Sequence, residues 1–474
     1  MKLFEPLTIN GMTIPNRIMV PAMVTHLCRE DGMVNQDVID RYSAYAEGGV
    51  GLIIVEAMAI HSNKSGSLLR ISADEFVPGL STLAKRIHDT SNSKVVPQII
   101  HFMKVAKTGW RQTIDALTTT QIEEIIDQFG AAAGRAREAG FDGLELHSAH
   151  AYTLSSFLSR ANPRDDEYGG TTLEGRLRLI GRVMQSVRRR VGRDFPVCVR
   201  FNAEEFIKNG YTVDESKLIA QRFAELGFDY LSLSVGGKFE DAVHTPGQVL
   251  FPYSGYSGDR CMPGAWLPRA LHVNLATEIK AHLLAHGFTT PVAIAGKLAD
   301  PQDAERTLAS GSADIVGIAR GLLADPAWPN KVRSGRNADI VQCDYCNVCK
   351  QLDGAHKPVI CNLWPQGALQ APRDHAGAAP EFAGSDEISA TATGSQVTLR
   401  WKKTPGAALF DVYRSIGSDP AQLVEATKLT NWTDKTVLGG RRYTYQVRAR
   451  AADGRASAGA LSAQVEVPAP DYLS

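Results

Sequence analysis

Two short stretches carry residue types able to do chemistry. In E-L-H-S-A-H-A-Y, Glu145 to Tyr152, His147 and His150 stand three apart and Tyr152 follows two later, directly behind the apolar run G-F-D-G-L-E-L. Three ring side chains with titratable or hydrogen-bonding tips suit a metal site, a proton-transfer site or a satisfied core. Zinc needs a third protein ligand; H-x-x-H offers two, and no third is obvious nearby. The second stretch, C-D-Y-C-N-V-C-K with C-N downstream, spaces Cys343, Cys346, Cys349 and Cys361 by two, two and eleven residues. These are four of the chain's seven cysteines. In a reducing compartment such clustering points to metal or cluster ligation rather than disulfides.

Chemistry needs a scaffold, and the chain between residue 17 and about 335 reads as one. Short β-rich runs at 17–23, 51–58, 95–100, 143–147, 196–201, 230–235, 291–296 and 314–319 alternate with amphipathic stretches. Near-continuous apolar runs are what strands covered on both faces look like. The intervening pattern from T-T-T-Q-I-E-E-I to A-R-E-A-G reads as a helix, with Thr120 as its cap and Gly140 as its end. Eight β/α units in about 320 residues predict an α/β chain folded as a (β/α)8 barrel. In that fold the site lies at the C-terminal ends of the strands, where the His-His-Tyr stretch falls. The barrel is expected to span 1–338, with the Cys-rich loop at 339–365.

After 365 the composition changes. Residues 366–387 are rich in Ala, Gly and Pro and read as a linker. Residues 388–474 alternate in short strands and predict a small all-β sandwich. Trp401, Tyr413, Tyr443 and Tyr445 sit where such cores hold aromatics. The segment resembles a fibronectin type III domain, with Trp401 on the second strand, Tyr413 on the third and Y-T-Y-Q-V on the sixth. That resemblance implies binding or spacing rather than chemistry.

Charge is balanced, 51 basic against 51 acidic residues, which gives no electrostatic reason to expect nucleic acid or an anionic membrane as partner. The N-terminal sequence lacks an apolar signal region and no 18-residue apolar run occurs, so a cytoplasmic chain is expected.

Several strand ends together carry a recognisable set: P-A-M-V-T, V-E-A-M-A, P-Q-I-I-H, H-S-A-H-A-Y, V-R-F-N, A-G-K and A-R-G-L-L. With F-L-S-R-A-N-P-R-D-D-E-Y-G-G-T-T-L-E-G-R, they resemble the Old Yellow Enzyme family of flavin-dependent ene-reductases, over roughly residues 2 to 365. The likeness is greatest to the branch containing 2,4-dienoyl-CoA reductase and trimethylamine dehydrogenase. It implies FMN over the barrel mouth. Gln98 would pair with the pyrimidine edge through its amide. Arg200 would set a positive charge beside N1 and C2=O and stabilise the reduced form. Met23 and Ala57 would give an apolar floor. Gly296, Lys297, Arg320 and Gly321 would hold the phosphate. His147 and His150 would donate to the substrate's oxygen, and Tyr152 would protonate the α-carbon.

The resemblance also implies a [4Fe–4S] cluster on Cys343, Cys346, Cys349 and Cys361. The branch normally has three residues between its second and third cysteines, and here only Asn347 and Val348 intervene. It also continues into nucleotide-binding domains, whereas this chain has no G-x-G-x-x-G after 365. The cysteines therefore hold a cluster fed by an electron-donor protein, or zinc, or nothing; without a cluster, NAD(P)H would reduce FMN directly. Val24 stands where the family often has Thr or Cys, with Thr25 as its substitute by a shift of one residue. The long loop after the sixth run has Phe239 where the branch uses a histidine, with His244 further on. Tyr253, Tyr256 and Arg260 are expected to line the substrate there.

The expected function is reduction of an alkene activated by a carbonyl or similar group. Two rivals are a flavin and iron–sulfur dehydrogenase passing electrons to a carrier, and a non-catalytic barrel serving as a scaffold. Substrate, donor and any homo-oligomer are left open.

Overall fold

The computed structural model describes residues 1–474 except 64–65, 104–113, 238–252, 373–379, 384–385, 452–455, 458 and 471–474. Phe239 and His244 lie outside the described residues. The chain forms two compact units. One comprises 1–329 with 345–362; the other comprises 330–344 with 363–474.

The first unit opens with an antiparallel hairpin, β1 (Leu7–Ile9) and β2 (Met12–Ile14). Eight strands follow: β3 (Ile18–Val20), β4 (Leu52–Ala59), β5 (Lys94–Ile100), β6 (Leu144–Ser148), β7 (Val197–Asn202), β8 (Leu231–Ser234), β9 (Val292–Ala295) and β10 (Ile315–Gly317). They pair in parallel and close, β10 against β3, into the expected barrel. Every one of the eight runs became a strand, because burial on both faces is what made them uniformly apolar.

The barrel interior is layered. Met19, Leu52, Ile54, Val96, Cys198, Tyr230, Ala293 and Ile315 form one apolar cluster with Ile9, Met12 and Ile14 of the hairpin. The hairpin thus fills the end away from the site. Strand side chains alternate in direction, so the next inward positions toward the C-terminal ends are Gln98, Glu145, His147, Arg200, Ser232 and Ser234. Register aligns them: Gln98 pairs Glu145, His147 pairs Arg200, and Arg200 pairs Ser232. β4 breaks register against β5 between Val55 and Met58, which turns Ala57 into the mouth.

The helix expected after T-T-T spans Thr119–Glu138. Its cap is Thr118, two residues before the expected Thr120, because Thr118 and Gln121 close a reciprocal capping box. Gly140, at φ 83°, ends the turn as expected.

The second unit holds β11 (Ser389–Thr393), β12 (Gln396–Arg400), β13 (Leu409–Ile416), β14 (Gln422–Thr427), β15 (Asn431–Asp434), β16 (Arg441–Arg450) and β17 (Leu461–Val467). They make an antiparallel three-stranded sheet, β11-β12-β15, and a four-stranded one, β14-β13-β16-β17. Val397 and Leu399 of the first sheet share a core with Phe410, Val412, Tyr443 and Tyr445 of the second, which is a sandwich. Trp401 joins that core just past the end of β12, not on it. Tyr413 stays out of it. Phe410 and Val412 face the core, so alternation turns Tyr413 to the other face, where its hydroxyl donates to Gln342 Oε1 at 3.4 Å.

Candidate active site

At the end of β6 the chain makes a turn that few non-glycine residues adopt. His150 and Ala151 both take left-handed backbone, at φ 62° and 60°. Consecutive strained residues of this kind persist only where their surroundings hold them. Here His150 bridges to Gly237, and its Nε2 lies 2.6 Å from Ser234 Oγ. Thr153 fixes the far side, its hydroxyl 2.7 Å from His101 Nδ1 at the end of β5. The turn gathers the three rings: His147 is 5.1 Å from His150 and 5.0 Å from Tyr152, centroid to centroid, both edge-on. His147 Nδ1 accepts the Ala149 N–H. A neutral His147 therefore carries its proton on Nε2 and presents a donor.

Beside these rings stands Arg200. Its Nη2 donates to Ser234 Oγ at 3.4 Å, while Nε and Nη1 are buried with no hydrogen-bond partner among the described residues. Each buried unsatisfied donor costs about 1–3 kcal/mol, so the guanidinium is built to receive acceptor atoms from a ligand. Gln98 donates Nε2 to Glu145 Oε1 at 2.5 Å, which leaves its carbonyl and second amide hydrogen for the mouth. Burial pushes the Glu145 carboxyl up, and Arg200 opposes that shift. The floor is apolar: Ala57, Ala59, Leu68, Ile100 and Phe102 cluster with Val24 and Tyr152. Met23 is half-buried beside them in sequence. A flat ligand with an acceptor-rich edge fits this combination.

The ends of β9 and β10 supply two buried cations. Lys297 donates to the carbonyls of Gly264, Ala265 and Leu267. Arg320 donates to Pro263 O at 2.7 Å and to Asn347 Oδ1 at 2.5 Å. Both lie over the Tyr345 ring, at 4.5 Å and 4.9 Å from its centroid, so positive charge converges there. Gly296, at φ 139°, has no room for a Cβ, which would meet the His272 ring at 2.6 Å. A Cβ at Gly321 would meet Ala299 at 2.5 Å. Close packing is therefore reason enough for both glycines.

Tyr256 and Arg260 stack on each other, guanidinium carbon 3.3 Å from the ring centroid, with Phe206 at 5.2 Å. Of the four cysteines, Cys346, Cys349 and Cys361 belong to the first unit and Cys343 to the second. Burial pushes the Cys349 thiol up against the pull of Arg320. Among the described residues no group of three or more His, Cys, Asp or Glu is gathered to hold a metal ion.

Thr25 does not offer its hydroxyl as the expected substitute at position 24. Its N–H and hydroxyl both donate to Glu56, at 2.5 and 2.7 Å. Glu56 is fully buried, and burial pushes it up to about 7. Sequence reasoning passed over this acid inside an apolar run, where its charge was itself the signal. His26 and Asp353 were not singled out either, because their side chains meet, at 3.2 Å, only in the folded chain.

A pH prediction follows from His61 and His101, packed edge-on at 4.7 Å. Burial holds them down, to about 4 and about 3. The folded state keeps neutral rings that the unfolded chain would protonate below about 6.5. Stability present above that pH is therefore lost as pH falls toward the folded values, by about 3 kcal/mol for His61. Glu56, being raised, has the opposite sign. The clean comparison is thus wild type with His61→Gln in urea. The wild-type midpoint should fall more steeply between pH 6.5 and pH 4, and parallel curves would contradict neutral burial of His61.

The model of the NADH:flavin oxidoreductase / NADH oxidase family matches residues 2–115, 103–253 and 268–339. The NADH oxidase of Thermoanaerobacter brockii is 36% identical over 367 residues, 73% of this chain and 53% of that protein. The NADPH dehydrogenase of Geobacillus sp. strain WCH70 is 34% identical over 343 residues, 69% of this chain and 92% of that protein. A solved 2-naphthoyl-CoA reductase complex superposes with a TM-score of 0.66 at 26% identity, covering 76% of this chain and 56% of that one. The chain thus spans about half the length of the Thermoanaerobacter relative. Among the described residues no helix is long and apolar enough to cross a membrane.

Proposed function

The chain belongs to the NADH:flavin oxidoreductase / NADH oxidase family of flavin-dependent oxidoreductases, and on that footing we propose that it is an FMN-dependent ene-reductase. Its substrate would be a small alkene conjugated to a carbonyl or similar group, and NAD(P)H would be its electron donor. Bound FMN, once reduced, supplies the hydride for such chemistry. The observation that carries the reading is the convergence of His147, His150 and Tyr152 beside Arg200, whose Nε and Nη1 are buried without a partner among the described residues.

The chain's own residues divide the work. Arg200 places fixed charge and two free donors at the ligand's acceptor edge. Gln98, held by Glu145, keeps one orientation. Ala57, Ile100 and Phe102 exclude water beneath it. His147 turns Nε2–H toward the substrate oxygen, drawing charge onto that oxygen and away from the alkene. Tyr152 holds the proton for the α-carbon. Lys297 and Arg320 form the positive locus for the phosphate. Purified protein should be yellow and release FMN on denaturation. Arg320→Ala should weaken FMN retention by about 1.5–3 kcal/mol, one charge-assisted contact. A colourless protein would contradict the reading, and unchanged retention would misplace the phosphate.

The cysteine spacing supports a [4Fe–4S] centre, although among the described residues no group of three or more such ligands is gathered. Anaerobically purified protein should contain iron and acid-labile sulfide in equal amounts. Cys346→Ser should remove both and leave FMN bound. Zinc, or no metal, in the wild type would contradict the cluster.

A further inference from the structure

Asn202 ends β7, and the proposed chemistry has not yet used it. Cys198 lies in the apolar cluster inside the barrel, and Arg200 Nη2 donates to Ser234 Oγ at 3.4 Å. Phe201 packs the other way, edge-on at 5.1 Å against Phe223 of the helix Val213–Glu225. Alternation therefore turns Asn202 to the inner face, with Cys198 and Arg200. Its backbone is held on both sides. Asn202 pairs in register with Ser234, the Ala203 N–H donates to Ser234 O at 2.7 Å, and the Tyr211 hydroxyl donates to Asn202 O at 2.9 Å. The residue is 1% exposed, yet neither Nδ2 nor Oδ1 has a hydrogen-bond partner among the described residues.

An amide oxygen only accepts and an amide NH2 only donates. Exchanging the two ends of Asn202 therefore leaves a donor and an acceptor unmet in either orientation. Each costs stability unless a ligand meets it. The place is level with His150. Asn202 stands two residues past Arg200, roughly 6–7 Å further along the strand toward its C-terminal end. Its register partner Ser234 has its hydroxyl 2.6 Å from His150 Nε2. The missing partner is thus a group that rests beside His150 and carries an acceptor and a donor side by side.

The proposed function brings two small molecules to this mouth. The carbonyl of an activated alkene offers acceptors alone, and His147 and His150 serve it as donors. The nicotinamide of NAD(P)H carries a primary carboxamide, whose oxygen accepts and whose nitrogen donates. We propose that Asn202 binds the nicotinamide carboxamide of the electron donor, Nδ2 donating to its oxygen and Oδ1 accepting from its nitrogen. The proposal rests on the reading that NAD(P)H reduces the flavin. Two contacts in place of one fix the orientation of the ring as well as its binding.

The test uses the FMN-loaded full chain with NADH or NADPH, whichever reduces the flavin, and the reduced 3-acetylpyridine analogue of that nucleotide. In the analogue a methyl ketone replaces the carboxamide, so the acceptor stays and the donor is gone. Dissociation constants come from the concentration dependence of flavin reduction, apart from its limiting rate. Wild type should bind the natural nucleotide about tenfold more tightly than the analogue, the effect of one hydrogen bond. Asn202→Leu, similar in size and apolar, should bind the natural nucleotide at least about tenfold more weakly and hold both nucleotides equally. Asn202→Asp should move the other way. Its carboxylate still accepts from the carboxamide nitrogen but meets the analogue's carbonyl with no donor, so the preference should widen beyond that of the wild type. A merely structural role would not drive the two variants in opposite directions. If Asn202→Leu does not fold, Asn202→Asp decides alone. The same preference in wild type and variants would overturn the proposal. So would an Asn202→Leu that loses FMN beside an Asn202→Asp with wild-type preference, since the amide would then serve the flavin. A wild-type flavin that neither NADH nor NADPH reduces would sink the donor reading, and the assignment of Asn202 with it.

Discussion

Tyr152→Phe should take up electrons from NAD(P)H nearly as fast as the wild type and then stall. Reoxidation of its reduced flavin by an activated alkene should slow by roughly 10²–10⁴, the usual range for a positioned acid. The two halves separate because the substitution removes a hydroxyl and nothing else. The phenyl ring keeps its place against His147, 5.0 Å away, and in the apolar cluster with Ala57 and Phe102. Stopped-flow flavin absorbance reads each half. A variant that reduces its alkene at wild-type speed would make Tyr152 a packing residue, or one used in an oxidative direction.

His147→Ala and His150→Ala should each slow the alkene half-reaction by about 10²–10³, the loss for one donor to developing charge. They should also weaken binding of phenolic or carbonyl ligands over the flavin. Their side effects should differ. His147 Nδ1 accepts the Ala149 N–H. His150 Nε2 shares Ser234 Oγ with Arg200 Nη2. Removing His150 loosens the residue that positions the guanidinium. His150→Ala should therefore also lower the flavin's reduction potential, since positive charge near its acceptor edge favours the reduced form. A titration of potential that finds both variants alike would contradict that shared anchor.

Much of this was legible from residue types, and the exceptions have physical causes. The barrel could be read because strands buried on both faces are apolar throughout, as in L-I-I-V and V-V-P-Q-I-I. Gln98, His147 and Arg200 could be read because they end such runs. Thr118 was missed although T-x-x-Q spells a capping box, since three threonines in a row offer three candidates and only the reciprocal bond selects one. Tyr413 was assigned to the sandwich core for its ring, but it follows the core residue Val412 on β13, and alternation turns it to the other face. Thr25 looked free to replace a missing donor because its partner, Glu56, lies 31 residues away on β4. Asp353 and His26 come from distant segments, and no local pattern announces their meeting.

The central claim is that this barrel mouth passes hydride equivalents to an activated alkene with Tyr152 as acid. The most direct measurement mixes anaerobically reduced wild-type protein with an α,β-unsaturated ketone in deuterated water and follows flavin absorbance and product together. The account predicts that the flavin reoxidises and that the saturated product carries solvent deuterium on its α-carbon. A flavin that stays reduced in the presence of the ketone would contradict it.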